Sequence, residues 1–462
     1  VSDLVLGIDS STQSTKALLV DAATGEVVEQ RTAPHPDGTE VDPAAWLEAL
    51  QTTTRDLLPR AAAVAVAGQQ HGLVALGADG IPVRKALLWN DTRSAPEAAD
   101  LVAEWGGPQA CADAVGSVLG ASFTATKLRW VRDHEPELAA LVRTVLLPHD
   151  LLTWQLAGRS EEPTTDRGDA SGTGYFSTRD DAWRLDLAAE ALGHAPGLPR
   201  VAGPSEVVGR TSSGAVIAPG TGDNAGAALG LGLRPGDVLV SIGTSGVACA
   251  VATAPSADPS GLVAGFADAT GEFLPLVCTL NAARVLDTTA RLLGVDHEGL
   301  SRLALQAPPG SGGLVLLPYL DGERTPARPD ASGTLHGLTT STGPQHLARA
   351  AVEGLLCSLA DAVDEMLGVV GEIGRVLLVG GGARNAAVRA LAPAVLGRPV
   401  LLPGEGEYVA IGAARQAAWA LAGTDAPPVW TLSDVRTLEA EPTPDVRAAY
   451  AVLRDRTQTW NP

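Results

Sequence analysis

In LVLGIDSSTQSTKALLVD, residues 4–21, an apolar run delivers one carboxylate, Asp9, into a turn crowded with hydroxyl and amide side chains that ends at one cation, Lys16. Hydroxyls and backbone N–H groups at a tight hairpin can form a concave nest for phosphate oxygens. Lys16 could neutralise phosphate charge. Asp9 could hold Mg2+ through water molecules, because that ion dehydrates reluctantly. An ordinary polar turn would share this composition. A second turn, GTSG at residues 243–246, offers the same donors with glycines that let a ligand approach the backbone closely.

Other stretches carry polar groups where apolar runs end. GGGAR, residues 380–384, follows a strand-like run as a nucleotide-contacting loop would. It has neither the GxGxxG nor the GxxxxGK[ST] pattern, so a dinucleotide fold or a Walker loop is not indicated. Asp223 and Asn224 sit in a Gly/Ala-rich run, where a carboxylate has little bulk around it and could reach an alcohol; helix capping is the equally simple alternative. GQQHG (residues 68–72) and LLWNDTR (residues 87–93) place amides, an imidazole and an aromatic ring at strand ends. Such groups suit a polyhydroxyl ligand, whereas Trp89 as core packing and His71 as a satisfied structural histidine are the plainer readings.

The elements that must position these groups alternate between strand and helix. LVLGID, KALLVD, VVEQRTA and AVAVAG read as strands and PAAWLEALQTTTRDLL as a helix, a mixed α/β pattern. VLVSIGTSGVACAVA, residues 238–252, echoes the opening segment: strand, glycine, hydroxyl-rich turn, strand. Two copies of one hairpin half a chain apart predict two similar domains, here placed at 1–234 and 235–462. The Gly-rich run 220–237 is read as the joint, and the tail 431–462 as a segment of undetermined packing. PQHLARAAVEGLLCSLADAVDEMLG has Leu347, Ala351, Leu355, Leu359, Val363 and Met366 at helical spacing, a helix with one buried stripe.

Composition narrows the partners. A chain of 462 residues with 45% apolar and 19% charged residues is globular and long enough for two cores. A net charge of -20 leaves no basic surplus for nucleic acid or anionic membrane. Apolar stretches such as residues 61–67 fall far short of the roughly 20 residues that span a bilayer. The four cysteines show no CxxC spacing, and the N-terminal residues lack a signal-peptide pattern, which points to the cytoplasm.

Taken in series, GIDSSTQSTK, GQQHG, LLWNDTR, FTATKLRWVRDHEPE, LLPHDLLTWQLAG, GDNAGAALGLG, SIGTSGV, LPYLDGERTP, ARAAVEGLLCSLAD, LLVGGGARN and AIGAARQAA resemble the FGGY carbohydrate kinases, most closely their xylulokinase branch. The resemblance implies an α/β fold of two ribonuclease-H-like domains, of the actin, sugar kinase and Hsp70 type, with the active site between them. It implies Asp223 as catalytic base, Asp9 as the acid needed for activity and metal, and Gln70 and His71 as sugar contacts. Trp89 then faces substrate and Asn224 adjoins the base. Thr12, Gln13 and Lys16 match a first phosphate turn, Thr244 a second, and Gly381, Gly382 and Asn385 the adenine-nucleotide loop. Ser11 stands where many relatives have glycine, Ser14 where they have glycine or serine, and Gln70 where many have methionine.

The implied reaction uses ATP and Mg2+ to phosphorylate D-xylulose at its 5-hydroxyl, with sugar binding expected to close the two domains against water. A homodimer is compatible with this reading. A kinase for another ketose or polyol (ribulose, gluconate, glycerol) is the alternative within the class, and an Hsp70- or actin-like nucleotide switch is the alternative outside it.

Overall fold

The structure is a computed structural model that describes residues 3–160 and 162–460. It divides into two compact units. The first comprises Val1–Leu233, Thr253–Leu274 and Glu405–Thr431; the second comprises Arg234–Ala252, Pro275–Gly404 and Leu432–Pro462.

In the first unit, β1 (Leu4–Ser10) and β2 (Ser14–Asp21) form an antiparallel hairpin, Ser10 opposite Thr15 at its tip, and β3 (Val27–Pro34) pairs with β2. On the other side, β4 (Ala63–Gly68) runs parallel to β1. The sheet continues through β5 (Gly209–Arg210) and β6 (Val216–Ile217), and β7 (Thr221–Gly222) pairs with the end of β4. β1 and β4 are apolar almost throughout because both faces are covered, as a parallel pair requires. On one face Leu6, Ile8, Leu19, Val64 and Val66 pack with Trp46 and Leu50 of the helix Pro43–Thr54. On the other, Val5, Leu18, Ala63 and Ala65 meet Ala410, Ala413, Ala414 and Ala417 of the helix Tyr408–Ala422. Small residues on both sides bring this helix very close. A Cβ on Gly7 would lie 2.0 Å from the Ala410 carbonyl oxygen.

The run 220–237, read from sequence as a joint, is structured over much of its length. β7 leads into the helix Asp223–Gly230, which crosses the helix Tyr408–Ala422 at glycines. A Cβ on Gly230 would stand 2.0 Å from Tyr408 O, and one on Gly412 1.9 Å from Gly226 O. Glycines here serve backbone-to-backbone packing, a use that composition alone does not separate from flexibility.

The second unit repeats the plan. β8 (Val238–Ile242) and β9 (Gly246–Ala250) form the second hairpin, Ile242 opposite Gly246. β10 (Phe273–Thr279) pairs antiparallel with β9, and β11 (Val376–Val379) lies parallel to β8, followed by β12 (Val400–Leu402) and β13 (Arg436–Leu438). Each sheet is thus a hairpin, a third antiparallel strand on its outer arm, and a parallel strand on its inner arm. Of the stripe predicted in the helix Pro344–Val370, Ala351, Leu355, Leu359, Val363 and Met366 are buried and Leu347 is half-buried, but every residue from Ala348 to Ala360 is buried too. This helix is enclosed on all sides over that stretch.

Candidate active site

Asp9 lies in β1 beside the hairpin turn and is 3% exposed. Its carboxylate accepts a hydrogen bond from Ser11 Oγ. Burial pushes its pKa up to about 6, against the opposing effects of the Ser11 hydroxyl and the Lys16 charge, and Glu407 adds to the rise. Lys16 pairs with Glu407 at 2.5 Å, at the start of the helix Tyr408–Ala422. The turn itself is braced: Ser11 N donates to Ser14 O (3.1 Å), His35 N donates to Gln13 O (2.8 Å), and Thr15 Oγ1 lies 2.8 Å from His35 Nε2. Gln13 is exposed at the tip, and Thr12 Oγ1 accepts from Trp89 Nε1 at 2.8 Å. Trp89 keeps 41% of its surface in solvent, so it is not core packing.

Asp223 begins the helix Asp223–Gly230, with Gly222 at the cap. Its Oδ1 accepts from Asn224 N (2.8 Å) and Asn224 Nδ2 (3.0 Å). Asn224 Nδ2 also donates to Gln70 Oε1 (3.1 Å), and Gln70 Nε2 donates to Gly168 O (3.3 Å). Gly222 makes this possible, since a Cβ there would sit 2.8 Å from Gln70 Cγ. Desolvation, then the negative charge of Asp9, push the Asp223 carboxyl up to about 7, offset in part by backbone N–H donors. A carboxyl near neutrality can take and return a proton at working pH. His71, the residue after Gln70, has a left-handed backbone at φ 68°. Its Nδ1 is 2.6 Å from Gly172 O and must donate, because a carbonyl oxygen only accepts. The first-unit candidates therefore fall into linked sets: Asp223, Asn224 and Gln70, with His71 next in chain; Thr12 with Trp89; and Asp9, coupled electrostatically to Lys16 and Asp223.

In the second unit, Thr244, Gly381, Gly382 and Asn385 line one cavity of about 620 Å3, with Asp287 and His297 also in its wall. Asn385 Oδ1 caps the helix Ala386–Leu396 through Ala387 N and Val388 N, while its buried Nδ2 has no protein partner. An orphan donor in a cavity wall is the kind of group that a ligand satisfies.

A family model described as the N-terminal domain of the FGGY family of carbohydrate kinases matches residues 4–230, and the C-terminal domain of the same family matches residues 238–421. The chain belongs to this family. It is a carbohydrate kinase, an enzyme that moves a phosphoryl group from ATP to a hydroxyl group of a carbohydrate. Among curated relatives, a xylulose kinase of Streptomyces coelicolor is 50% identical over 439 residues, covering 92% of this chain and 89% of that protein. One of Streptomyces rubiginosus is 48% identical, covering 91% and 89%. Among solved structures, a xylulose kinase from Bifidobacterium adolescentis superposes with a TM-score of 0.93 at 44% identity, over 98% of this chain and 99% of that one.

Several residues around the site of this FGGY kinase escape a reading by motif. Glu407, which holds Lys16, and His35, which braces the turn, are remote in sequence from what they touch. His149 is fully buried, its Nδ1 2.6 Å from Asp169 Oδ2 and its Nε2 3.4 Å from Asp150 and 3.9 Å from Asp166. Although desolvation opposes it, the surrounding carboxylates raise its pKa to about 9. The separations are those of an ion pair, and Asp166 in turn accepts from Thr221 Oγ1 (3.1 Å), two residues before Asp223. His149 lies in the quoted PHDLLTWQLAG segment without being singled out there; of its partners, Asp166 caps and Asp169 belongs to the short helix Arg167–Ser171, outside the quoted motifs. Among the described residues no helix is long and apolar enough to cross a membrane.

Proposed function

We propose that this kinase phosphorylates D-xylulose at its 5-hydroxyl, with Asp223 as the general base. The observation that carries the reading is the Asp223–Asn224–Gln70 chain of hydrogen bonds, ending in a carboxyl raised to about 7. Asp223 accepts the hydroxyl proton as that oxygen attacks the γ-phosphorus of ATP in line. The transition state of such a transfer is loose, so positioning and charge neutralisation supply most of the acceleration. Gln70 and His71 contact sugar hydroxyls, and Trp89 offers its face to the sugar C–H groups. The Ser/Thr turn at Thr12 and Gln13, with Lys16 and the Thr244 turn, meets phosphate oxygens. Gly381, Gly382 and Asn385 receive the nucleotide.

Two raised carboxyls, Asp9 with the Ser11 hydroxyl on it and Asp223, with Lys16 drawn to Glu407, offer oxygen donors that fit a divalent cation. Asp9 would hold Mg2+ through water. When bound, the ion neutralises charge on phosphate oxygens.

An ADP-release assay over D-xylulose, D-ribulose, L-ribulose, gluconate and glycerol tests the specificity. D-Xylulose should have the highest kcat/KM. A tenfold or greater preference for another sugar would overturn the assignment of substrate while leaving the kinase in place.

A further inference from the structure

Lys127 is one of three lysines in the chain, and it is 1% exposed. It lies in the helix Thr124–His134, and among the described residues no carboxylate forms an ion pair with its ammonium. Its Nζ donates instead to three consecutive carbonyl oxygens, Ala121 O (3.2 Å), Ser122 O and Phe123 O (3.5 Å). Ser94 Oγ and Thr126 Oγ1 converge on the same loop, both donating to Ala121 O. Burying a cation is costly, and burial pushes this one down to about 7, with the Asp91 charge opposing. A lysine retained at that cost, in a chain that otherwise favours arginine, has work to do in the loop it grips.

That loop surrounds His71. The Phe123 ring lies 5.1 Å from the His71 ring, with Phe266 at 5.6 Å on the same imidazole. Thr124 Oγ1 donates to His71 O (3.1 Å), and Ala125 N donates to Thr173 O (2.8 Å), next to the Gly172 carbonyl that takes the His71 Nδ1 proton. A non-glycine residue at φ 68° persists when its surroundings over-determine it. Ring, backbone carbonyl and ring nitrogen of His71 are all met by the segments that Lys127 anchors or their immediate neighbours.

We infer that Lys127 is a positioning residue for the sugar: its ammonium, held by the carbonyls of Ala121, Ser122 and Phe123, fixes the loop that keeps His71 in the conformation that binds substrate. The inference rests on the reading of His71 as a sugar contact. Lys127→Met keeps the length of the stem and removes the charge, so Ser122 O loses its donor while the Ser94 and Thr126 hydroxyls still reach Ala121 O and Phe123 O. Sugar KM should rise at least about tenfold, the worth of a charged hydrogen bond, with ATP KM within about twofold and kcat within about threefold.

Lys127→Ala should show the same split, and millimolar n-propylammonium, the missing part of the side chain, should restore sugar KM in the Ala variant, whereas n-propanol should not. Phe123→Leu, which leaves the lysine in place, should reproduce the rise in sugar KM and tests the loop if the lysine variants fail to fold. Unchanged sugar KM in folded Lys127→Met or in Phe123→Leu overturns the inference. So does proportional loss of sugar KM, ATP KM and kcat, or a folded Ala variant on which the amine has no effect. His71→Ala run in parallel separates the two levels: unchanged sugar KM there removes the reading of His71 itself, while a raised KM there with normal Lys127 variants removes the role of Lys127 alone.

Discussion

Replacing Asp223 by asparagine should make the protein more stable and almost inactive, and the gain in stability should grow with pH. The folded environment moves this carboxyl from 3.8 to about 7, by desolvation first and the charge of Asp9 second. In the unfolded chain it ionises near its ordinary value. Below about pH 4 it is protonated in both states and costs nothing. As pH rises from there, the unfolded state alone ionises, so folding loses stability until about pH 7, above which the penalty is complete. The ceiling is roughly 2 kcal/mol at pH 5.5 and roughly 4 kcal/mol at pH 8. Asparagine keeps an oxygen for the Asn224 donors and removes the ionisation. Its thermal midpoint should therefore exceed the parent's by a few degrees more at pH 8 than at pH 5.5. Turnover should fall by about 10²-fold or more, the range for a positioned base. Scanning calorimetry at the two pH values, with ADP release on the same samples, measures both. A stability gain that does not change between pH 5.5 and 8 would show that the carboxyl is not held neutral by the fold, and near-parental turnover would remove it from the chemistry.

His149→Leu should cost about 3–5 kcal/mol in urea unfolding at neutral pH, because it strands buried carboxylates without their cation. In the parent, the imidazolium contribution is complete below the ordinary histidine value near 6.5 and is lost as pH rises to about 9, so the gap between the two proteins should narrow across that window and level off above it. Gly412→Ala, whose Cβ would meet Gly226 O at 1.9 Å, should destabilise by about 2–3 kcal/mol, whereas Gly381→Ala, with open space around it, should leave the unfolding midpoint unchanged and raise ATP KM. Trp89→Phe retains an aromatic face but loses the bond to Thr12; steady-state kinetics should show ATP KM rising about threefold to tenfold, a shift absent if Trp89 touches sugar alone.

Both hairpins were legible because their signal is local. An unbroken apolar run, a cluster of hydroxyls and a second run mark β1–β2 and β8–β9 within about twenty residues each, and Asp9 and Thr244 are positioned by that pattern. What escaped depends on distance along the chain. The helix Tyr408–Ala422 looks from sequence like a C-terminal element, and its alanines do not announce that they cover the sheet built from residues 4–68. Glycines at 226 and 230 read as a joint because a close crossing and a flexible joint share one composition. His71 and Gln70 stood out beside a strand end, and Phe123 lies in a segment that also did, yet the other groups that hold them, at 168, 172 and 266, sit in unremarkable segments. The burial from Ala348 to Ala360, complete around that part of the helix Pro344–Val370, was likewise read as a stripe, because small residues such as Ala350 and Gly354 can be enclosed without looking apolar.

The helix Tyr408–Ala422 also sets a timetable. The strands it covers leave the ribosome early, but their cover is made about 350 residues afterwards, roughly 20–70 s at ordinary rates of synthesis. Throughout that interval Val5, Leu18 and Ala65 belong to a nascent chain whose first sheet has one side bare, so a pause ahead of residue 405 would prolong that state, and termination there would release a polypeptide able to start this sheet and unable to finish it.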